Sequence, residues 1–480
     1  MRTKLKNAIY CISLLLTFGS CNSFLDVRPS NNGKIEPRTV EDFEEILNNV
    51  FFSEQTYLVA DLISDDFHVK DQILESSGTG SAYINTYLWN DNVFGNSEED
   101  VMYNDTYKAI LQLNIILDNI DLAPGGNAER KSIVRAQAKL HRAFYYTQLV
   151  GIYGWDYQST TANSDLAVPL VLKPSTNDAP PRATVKEVYD FILQDLQDVI
   201  NEDKLPPFGS DVLHPGKAAA NALLARVNLM LTKYDDALKY AEAALSFKST
   251  LLDYRKMSYK NPSLPFMGVN GKLISIVDQK GNPEIYLAKV GYETGFYYKY
   301  KAILEPSHSL VELFNKQPKD LRLAYNFIYL PNSTKPLLTS YTVGGLSSMP
   351  FNYSLGVPEM MLIKAECLAR SGKNQEAIDA LNMLRSYRFK VTDYVAEIVE
   401  GDVLARILEE RRRELYGKGG LRLFDLKRLN REGVYVTNVE RYNDAKTEVI
   451  GTLPPKSPRY LMPFSPVVIA NNELIIQNER

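Results

Sequence analysis

The sequence predicts a mainly α-helical fold, a scaffold of antiparallel helix pairs interrupted by long loop-rich insertions. Three observations lead there. Apolar residues recur with helical spacing over 103–120, 130–153, 186–200, 217–231, 234–247, 358–371, 374–387 and 403–416. One helical hairpin occurs twice, 140 residues apart. Between about 251 and 352 periodicity weakens, and Pro, Gly, Ser and Tyr take over.

The chain opens on Arg2, Lys4 and Lys6, an apolar run over 8–18, the small residues Gly19 and Ser20, and then Cys21. This is the pattern of a secretory leader, too short to span a bilayer. A cysteine directly after the small residues also resembles a bacterial lipoprotein box, with Phe18 where Leu is usual. Cys21 is then the acylated first residue of a mature chain; the alternative is an ordinary secreted protein in which Cys21 is incidental. Residues 22–37 hold Pro29, Asn31, Asn32, Gly33 and Pro37 and read as a tether. Thr39, with Asp42 three positions on, caps the first helix from about Val40.

The duplicated hairpin reads ALLARVNLMLTKYDDALKYAEAAL at 222–245 and LIKAECLARSGKNQEAIDALNMLR at 362–385. Ala225 corresponds to Ala365, Leu229 to Ala369 and Ala237 to Ala377. Small residues there let two helices approach closely, as in a tetratricopeptide-like pair. Two unrelated amphipathic hairpins are the other reading. The expected organisation is a leader at 1–20, a helical half at 21–250, a loop-rich insertion at 251–352 and a second helical half at 353–480, with 21–480 one compact unit.

Without residues 1–20 the chain keeps 51 basic against 58 acidic residues, a net charge of −7, which gives no reason to expect nucleic acid. Cys367 is then the one thiol not assigned to leader or lipid, so an intramolecular disulfide is excluded and stability must come from the packed core. No HExxH, GxSxG, CxxC or Walker A pattern occurs, and Gly78-Thr79-Gly80 lacks a dinucleotide loop's third glycine. Nothing nominates a catalytic pair, a metal site or a cofactor. The acidic run Asp61, Asp65, Asp66, Asp71 lacks the spacing and glycine of an EF-hand. In 409–414, acids and bases three and four apart are expected to pair along one helix, over a buried stripe of Leu404, Ile407, Leu408 and Leu415.

Aromatic stretches are the stronger binding signal, because a sugar presents an apolar C–H face to a ring and hydroxyls to polar neighbours. Residues 83–94 (YINTYLWNDNVF) combine Tyr83, Tyr87, Trp89 and Phe94 with Asn90 and Asn92. Residues 292–298 (YETGFYY) supply Tyr292, Tyr297 and Tyr298, and Trp155 with Tyr157 stand ready to border them. For any one of these rings, packing in the core is the competing role.

Several segments in series resemble the SusD/RagB family of Bacteroidetes outer-membrane lipoproteins. They are FLD at 24–26, RAFYYTQLVGIYG at 142–154, DLAVPLVL at 165–172, RATVKEVYDFILQDL at 182–196, KAAANALLARVNLML at 217–231, VPEMMLIKAECLARSG at 357–372, EERRRELYGKGGLRLFDLKR at 409–428 and the closing LMPFSP…NNELIIQN at 461–478. The chain departs from the family after Gly154, where Trp155-Asp156-Tyr157 opens a longer loop, and 251–352 matches nothing firmly. The resemblance implies a tetratricopeptide-like scaffold and a glycan-binding face built from the 83–94 stretch and a loop of the second half. It also implies an acidic residue near the ligand, which makes Asp65 and Asp66 candidates. By the same resemblance the protein is a non-enzymatic, lipid-anchored, surface-exposed outer-membrane receptor that passes a glycan to a SusC-like TonB-dependent transporter. A peptide-capturing binder and a scaffold without ligand are the alternatives.

Overall fold

The computed structural model describes residues 36–53, 57–77, 81–175, 179–264, 269–270, 282–291, 304–329, 336–338 and 351–480. The leader, Cys21, and Tyr292, Tyr297 and Tyr298 lie outside these. The longer helices are α1 (Val40–Leu47), α2 (Val101–Asn119), α3 (Ala128–Tyr153), α4 (Val185–Glu202), α5 (Lys217–Met230), α6 (Tyr234–Phe247), α7 (His308–Asn315), α8 (Val357–Arg370), α9 (Asn374–Arg385), α10 (Val403–Leu415) and α11 (Leu421–Glu432). The eight periodic stretches of the sequence correspond to α2–α6 and α8–α10, with ends displaced by no more than two residues. Thr39 forms the expected capping box, accepting the Asp42 N–H at 3.2 Å while Asp42 accepts its own N–H at 2.8 Å.

The duplicated hairpin is α5–α6 and α8–α9, and the equivalence extends to the turns. Thr232 and Gly372, 140 positions apart, both take left-handed backbone, at φ +56° and +79°. The N–H of Lys233 bonds the Asn228 carbonyl at 2.9 Å, and that of Lys373 bonds Leu368 at 2.9 Å. Ala225, Ala237, Ala365 and Ala377 are fully buried where the helices meet. Although 251–352 separates the two copies in sequence, α6 packs directly against α8, so they are neighbours in space. Helices α2 to α5 pack in series on one side, and α9, α10 and α11 continue the stack on the other. One apolar core runs through both halves. Gly151 lets α3 approach α11 closely, since a Cβ there would stand 2.3 Å from the Phe424 ring.

Among the described residues the strands form only two-stranded antiparallel ladders. Two of these matter for the site. Strand β1 (Phe67–Val69) pairs with β2 (Leu304–Pro306), and β3 (Val439–Tyr442) pairs with β4 (Val449–Leu453).

The charged run on α10 differs from the sequence reading. Glu410, Arg411, Arg413 and Glu414 are buried, whereas Leu404 and Leu408 are only half-buried. Arg413 does pair within the helix as expected, with Glu410 at 3.0 Å and Glu409 at 3.7 Å. The other partners come from elsewhere: Arg322 reaches Glu410 and Glu414 at 2.6 Å each, Arg388 reaches Glu414 at 2.7 Å, and Arg411 reaches Asp425 at 2.8 Å. Burial would raise the Glu410 and Glu414 carboxyls, but the surrounding guanidiniums overcome it and hold both low, Glu414 at about 2. Helix α10 is therefore the charged axis of the second half, and its solvated face is small.

Candidate functional site

A cleft of about 530 Å³ opens where β1, the start of α7, α10, α11 and the β3–β4 hairpin converge. Its geometry begins at Asp65 and Asp66, in the turn between the short helix Leu58–Ile63 and β1. Ser307 leaves β2 and bonds back to that turn, its N–H to the Asp66 carbonyl at 2.8 Å and its hydroxyl to the Asp65 carbonyl at 2.5 Å. The same hydroxyl caps α7 by accepting the Leu310 N–H. One serine thus locks the mouth of α7 onto the β1 turn.

The Asp65 carboxylate is held by a two-point grip from Arg422, at 2.6 and 2.8 Å, and by Arg412 at 3.2 Å. Arg412 also reaches Asp66 at 3.1 Å and Ser309 at 3.0 Å. Burial would raise the Asp65 carboxyl, yet Arg412 and Arg422 outweigh it and hold it well below the usual carboxylate range. Asp66 goes the other way: burial, reinforced by the Asp65 charge, raises it against Arg412. With both oxygens of Asp65 engaged by guanidiniums, this carboxylate is a structural anion that orients two donors along the cleft.

The far wall is the β3–β4 hairpin. Arg441 lies 3.7 Å from the centre of the Tyr87 ring and 4.2 Å from that of Trp89. Its N–H groups bond the Phe67, Ser64 and Leu62 carbonyls. His68 bonds Asp444 at 2.8 Å, and its ring sits 5.1 Å from that of His308. Tyr442, Asn438 and the ion pair Glu312–Lys446, at 3.1 Å, form the rim. Among the described residues no group of three His, Cys, Asp or Glu is arranged to hold a metal ion.

The residues nominated from sequence fall in different places. Asp65 lines the cleft and Tyr87 closes its base beneath Arg441. Asp66 lies behind Asp65. The first part of the 83–94 stretch is a short helix, Ala82–Tyr87, and not a loop. Trp89 is 2% exposed, at φ +55°, donating its indole N–H to the Ile63 carbonyl at 3.0 Å with Arg441 across its face. That ring is committed to the interior and offers no open face. Tyr83, Asn90 and Phe94 are half-buried and Asn92 is exposed. Trp155 lies in a separate cleft of about 260 Å³. The sequence pattern does not single out His68, His308, Arg412, Arg422, Arg441 and Tyr442 as site residues. They come from segments far apart in the chain, and only Arg412 and Arg422 lie in the charge-dense stretch 409–428.

Residues 23–229 match a family model described as starch-binding associating with outer membrane, and residues 357–480 match the SusD family model. The chain belongs to the SusD/RagB family. A SusD-like protein from Formosa agariphila is 23% identical over 494 residues, covering 89% of this chain and 92% of that one. A SusD superfamily protein from Bacteroides thetaiotaomicron superposes with a TM-score of 0.73 at 21% identity, over 92% of this chain and 100% of that one. A putative sugar-binding protein from Bacteroides vulgatus gives 0.72 at 22% identity, over 93% and 99%. A laminarin-binding SusD-like protein gives 0.60 at 18%, over 92% and 99%. In this SusD/RagB protein the cleft draws on three parts of the chain. Asp65, His68 and Tyr87 come from the first matched region, and Arg412, Arg422 and Arg441 from the second. Ser307, His308 and Glu312 come from 230–356, which neither model matches.

Proposed function

We propose that this protein is a non-enzymatic, lipid-anchored receptor at the outer membrane that captures an oligosaccharide and passes it to a SusC-like TonB-dependent transporter. The observation that carries the reading is membership of a family whose model is described as starch-binding associating with outer membrane. The cleft supports it chemically. Planar donors and acceptors, among them Arg412, Arg422, Asn438 and His308, stand beside the Tyr442 ring, and vicinal hydroxyls need paired planar groups of that kind. In the same reading Tyr292, Tyr297 and Tyr298, which lie outside the described residues, add stacking faces to the cleft.

No helix among the described residues is long and apolar enough to cross a membrane, which leaves the lipid on Cys21 as the anchor in this reading. Several acyl chains are needed for stable attachment, because one alone binds only marginally. Loose binding suits hand-over: a ligand held at µM to mM strength, ~4–8 kcal/mol, leaves quickly.

The test is a glycan and peptide binding screen on the purified chain, with Tyr442→Ala and His308→Ala beside the wild type. Binding to one glycan class, weakened in both variants, is the expected result. Binding of peptides with silence on glycans would overturn it. Co-purification of the wild-type protein with a SusC-like barrel tests the transporter part, and release of Cys21→Ala from the membrane fraction tests the anchor part.

A further inference from the structure

The smaller cleft, of about 260 Å³, belongs to none of the features above. It forms between α11 and the loop that follows α3, the loop in which this sequence departs from the family pattern. Two cations from α11 shape that loop through its backbone. Lys427 donates to the Gly151 and Gly154 carbonyls at 2.9 and 2.6 Å, and Arg431 donates to the Tyr157 carbonyl. Because the backbone is held this way, the side chains of Trp155, Asp156 and Thr161 are left to line the cleft, with Tyr460 opposite.

Three buried ion pairs of the scaffold, Arg142–Asp195, Arg226–Glu359 and Arg428–Glu366, are each joined by two hydrogen bonds. The small cleft is different. Asp156 and Arg431 approach only to 3.4 Å, and three buried atoms in its wall, Asp156 Oδ2, Thr161 Oγ1 and Arg431 Nη2, have no hydrogen-bond partner. Leaving such groups unsatisfied is costly, and their concentration in one wall calls for an occupant that both donates and accepts.

The charges select its class. Asp156 and Asp165 oppose an anion, while Lys427, Arg431 and Lys456 oppose a cation, so the fitting guest is neutral. A hydroxyl gives a carboxylate a donor and a guanidinium an acceptor at once. The Trp155 ring, half-buried at the mouth, suits a C–H face. The volume lies just below the usual range of ligand pockets, about 300–1,000 Å³, and admits a small ring, not a polymer.

We propose that the Trp155 cleft is a second binding site, separate from the Asp65 cleft, that takes one neutral sugar ring as a free monosaccharide or a chain end. This inference does not rest on the larger cleft binding anything.

The experiment titrates the full chain with D-glucose, D-galactose and D-mannose while following tryptophan emission. The chain has two tryptophans, and Trp89 is buried, so Trp155→Phe separates the signals. The expected result is a saturable change with at least one hexose, abolished in Trp155→Phe and weakened about 10-fold or more in Asp156→Asn and Thr161→Val. It should persist in Tyr442→Ala, which alters only the larger cleft. A fluorescence-independent check, saturation-transfer NMR on the same hexoses, should lose its signal in Thr161→Val. If no hexose saturates, or binding survives Asp156→Asn and Thr161→Val unchanged, the cleft holds water only and the proposal fails. If hexose binding disappears in Tyr442→Ala instead, there is one site, the larger one, and the proposal fails while the receptor reading stands.

Discussion

Asp65 separates two accounts of the cleft, because the family resemblance makes it a candidate ligand contact and the structure holds it as an anchor. Changing Asp65→Asn keeps the shape and removes the charge. Arg422 then loses the carboxylate that grips it at 2.6 and 2.8 Å, while Arg412 retains Asp66 at 3.1 Å. Removing one partner of a buried ion pair costs about 3–5 kcal/mol. The open cleft beside Arg422 admits water, which places the expected loss near the lower end, about 3 kcal/mol. The assay is urea unfolding followed by circular dichroism, in which the midpoint should fall with the slope unchanged. The sign of the pH dependence follows from the depressed carboxyl. Its folded pKa lies below the unfolded value of ~3.9, so its stabilisation is complete above that value and is lost as pH falls through the folded pKa. The gap between wild type and variant should be level near neutral pH and narrow only below about pH 4. Asp66 acts with the opposite sign: raised by burial, it favours the fold at low pH and loses that contribution as pH rises through its folded pKa. A variant with an unchanged midpoint but abolished ligand binding would refute the argument and return Asp65 to the ligand.

Three further outcomes are expected. Glu359→Gln removes the two-point partner of Arg226 at the interface of the repeated pairs and should cost about 3–5 kcal/mol, most of it recovered in the double variant Arg226→Met with Glu359→Leu, read from a denaturation cycle. Gly420→Ala meets left-handed backbone at φ +89° and puts a Cβ 2.7 Å from that of Ala60, so it should destabilise by more than about 1–2 kcal/mol in a thermal melt and disturb the Asp61 carboxylate, which accepts the Gly419 and Gly420 N–H groups at 3.0 and 2.8 Å. Cys367 is buried and its thiol is pushed up to about 12, so a thiol reagent at neutral pH should leave it unmodified until denaturant is added.

Much of the scaffold is legible in the sequence because its information is local. A helix writes its period into neighbouring residues, and the copy at 140 residues carries even the left-handed turn, as Thr232 in one and Gly372 in the other. Helix α11 is harder to see. It follows Gly417, Gly419 and Gly420, which read as a break, and its polar residues Asp425, Lys427, Arg428 and Asn430 are buried, so the usual contrast between faces is missing. The charged run of α10 misleads for the same reason. Arg322 and Arg388, which make its glutamates stable in the interior, lie 88 and 26 residues or more away, and no spacing rule connects them. Trp89 shows the limit at the candidate site. A tryptophan among asparagines has the composition of a sugar platform, but the residue that covers it, Arg441, arrives from the far end of the chain.

The same distance explains how the cleft is kept rigid. Consecutive arginines on α10 face different ways: Arg411 and Arg413 enter the buried network, whereas Arg412 turns to Asp65, Asp66 and Ser309. On α11, Arg428 closes on Glu366 in the core while Arg422 reaches the cleft. Arg412 and Arg422 are therefore each carried on a helix fixed by buried charge pairs within two turns. Little ordering remains to be done when a ligand arrives, which lowers the cost of binding without adding contacts. On the proposed reading of this cleft, selectivity is assigned to the parts not held by buried charge pairs, the segment from Ser307 to Glu312 and the hairpin around Tyr442. Exchanging 307–312 for the equivalent segment of another family member should change which glycan binds while leaving the urea midpoint within about 0.5 kcal/mol of wild type, provided the serine that caps α7 is kept. A swap that preserved the glycan preference would place selectivity in the floor of guanidiniums instead.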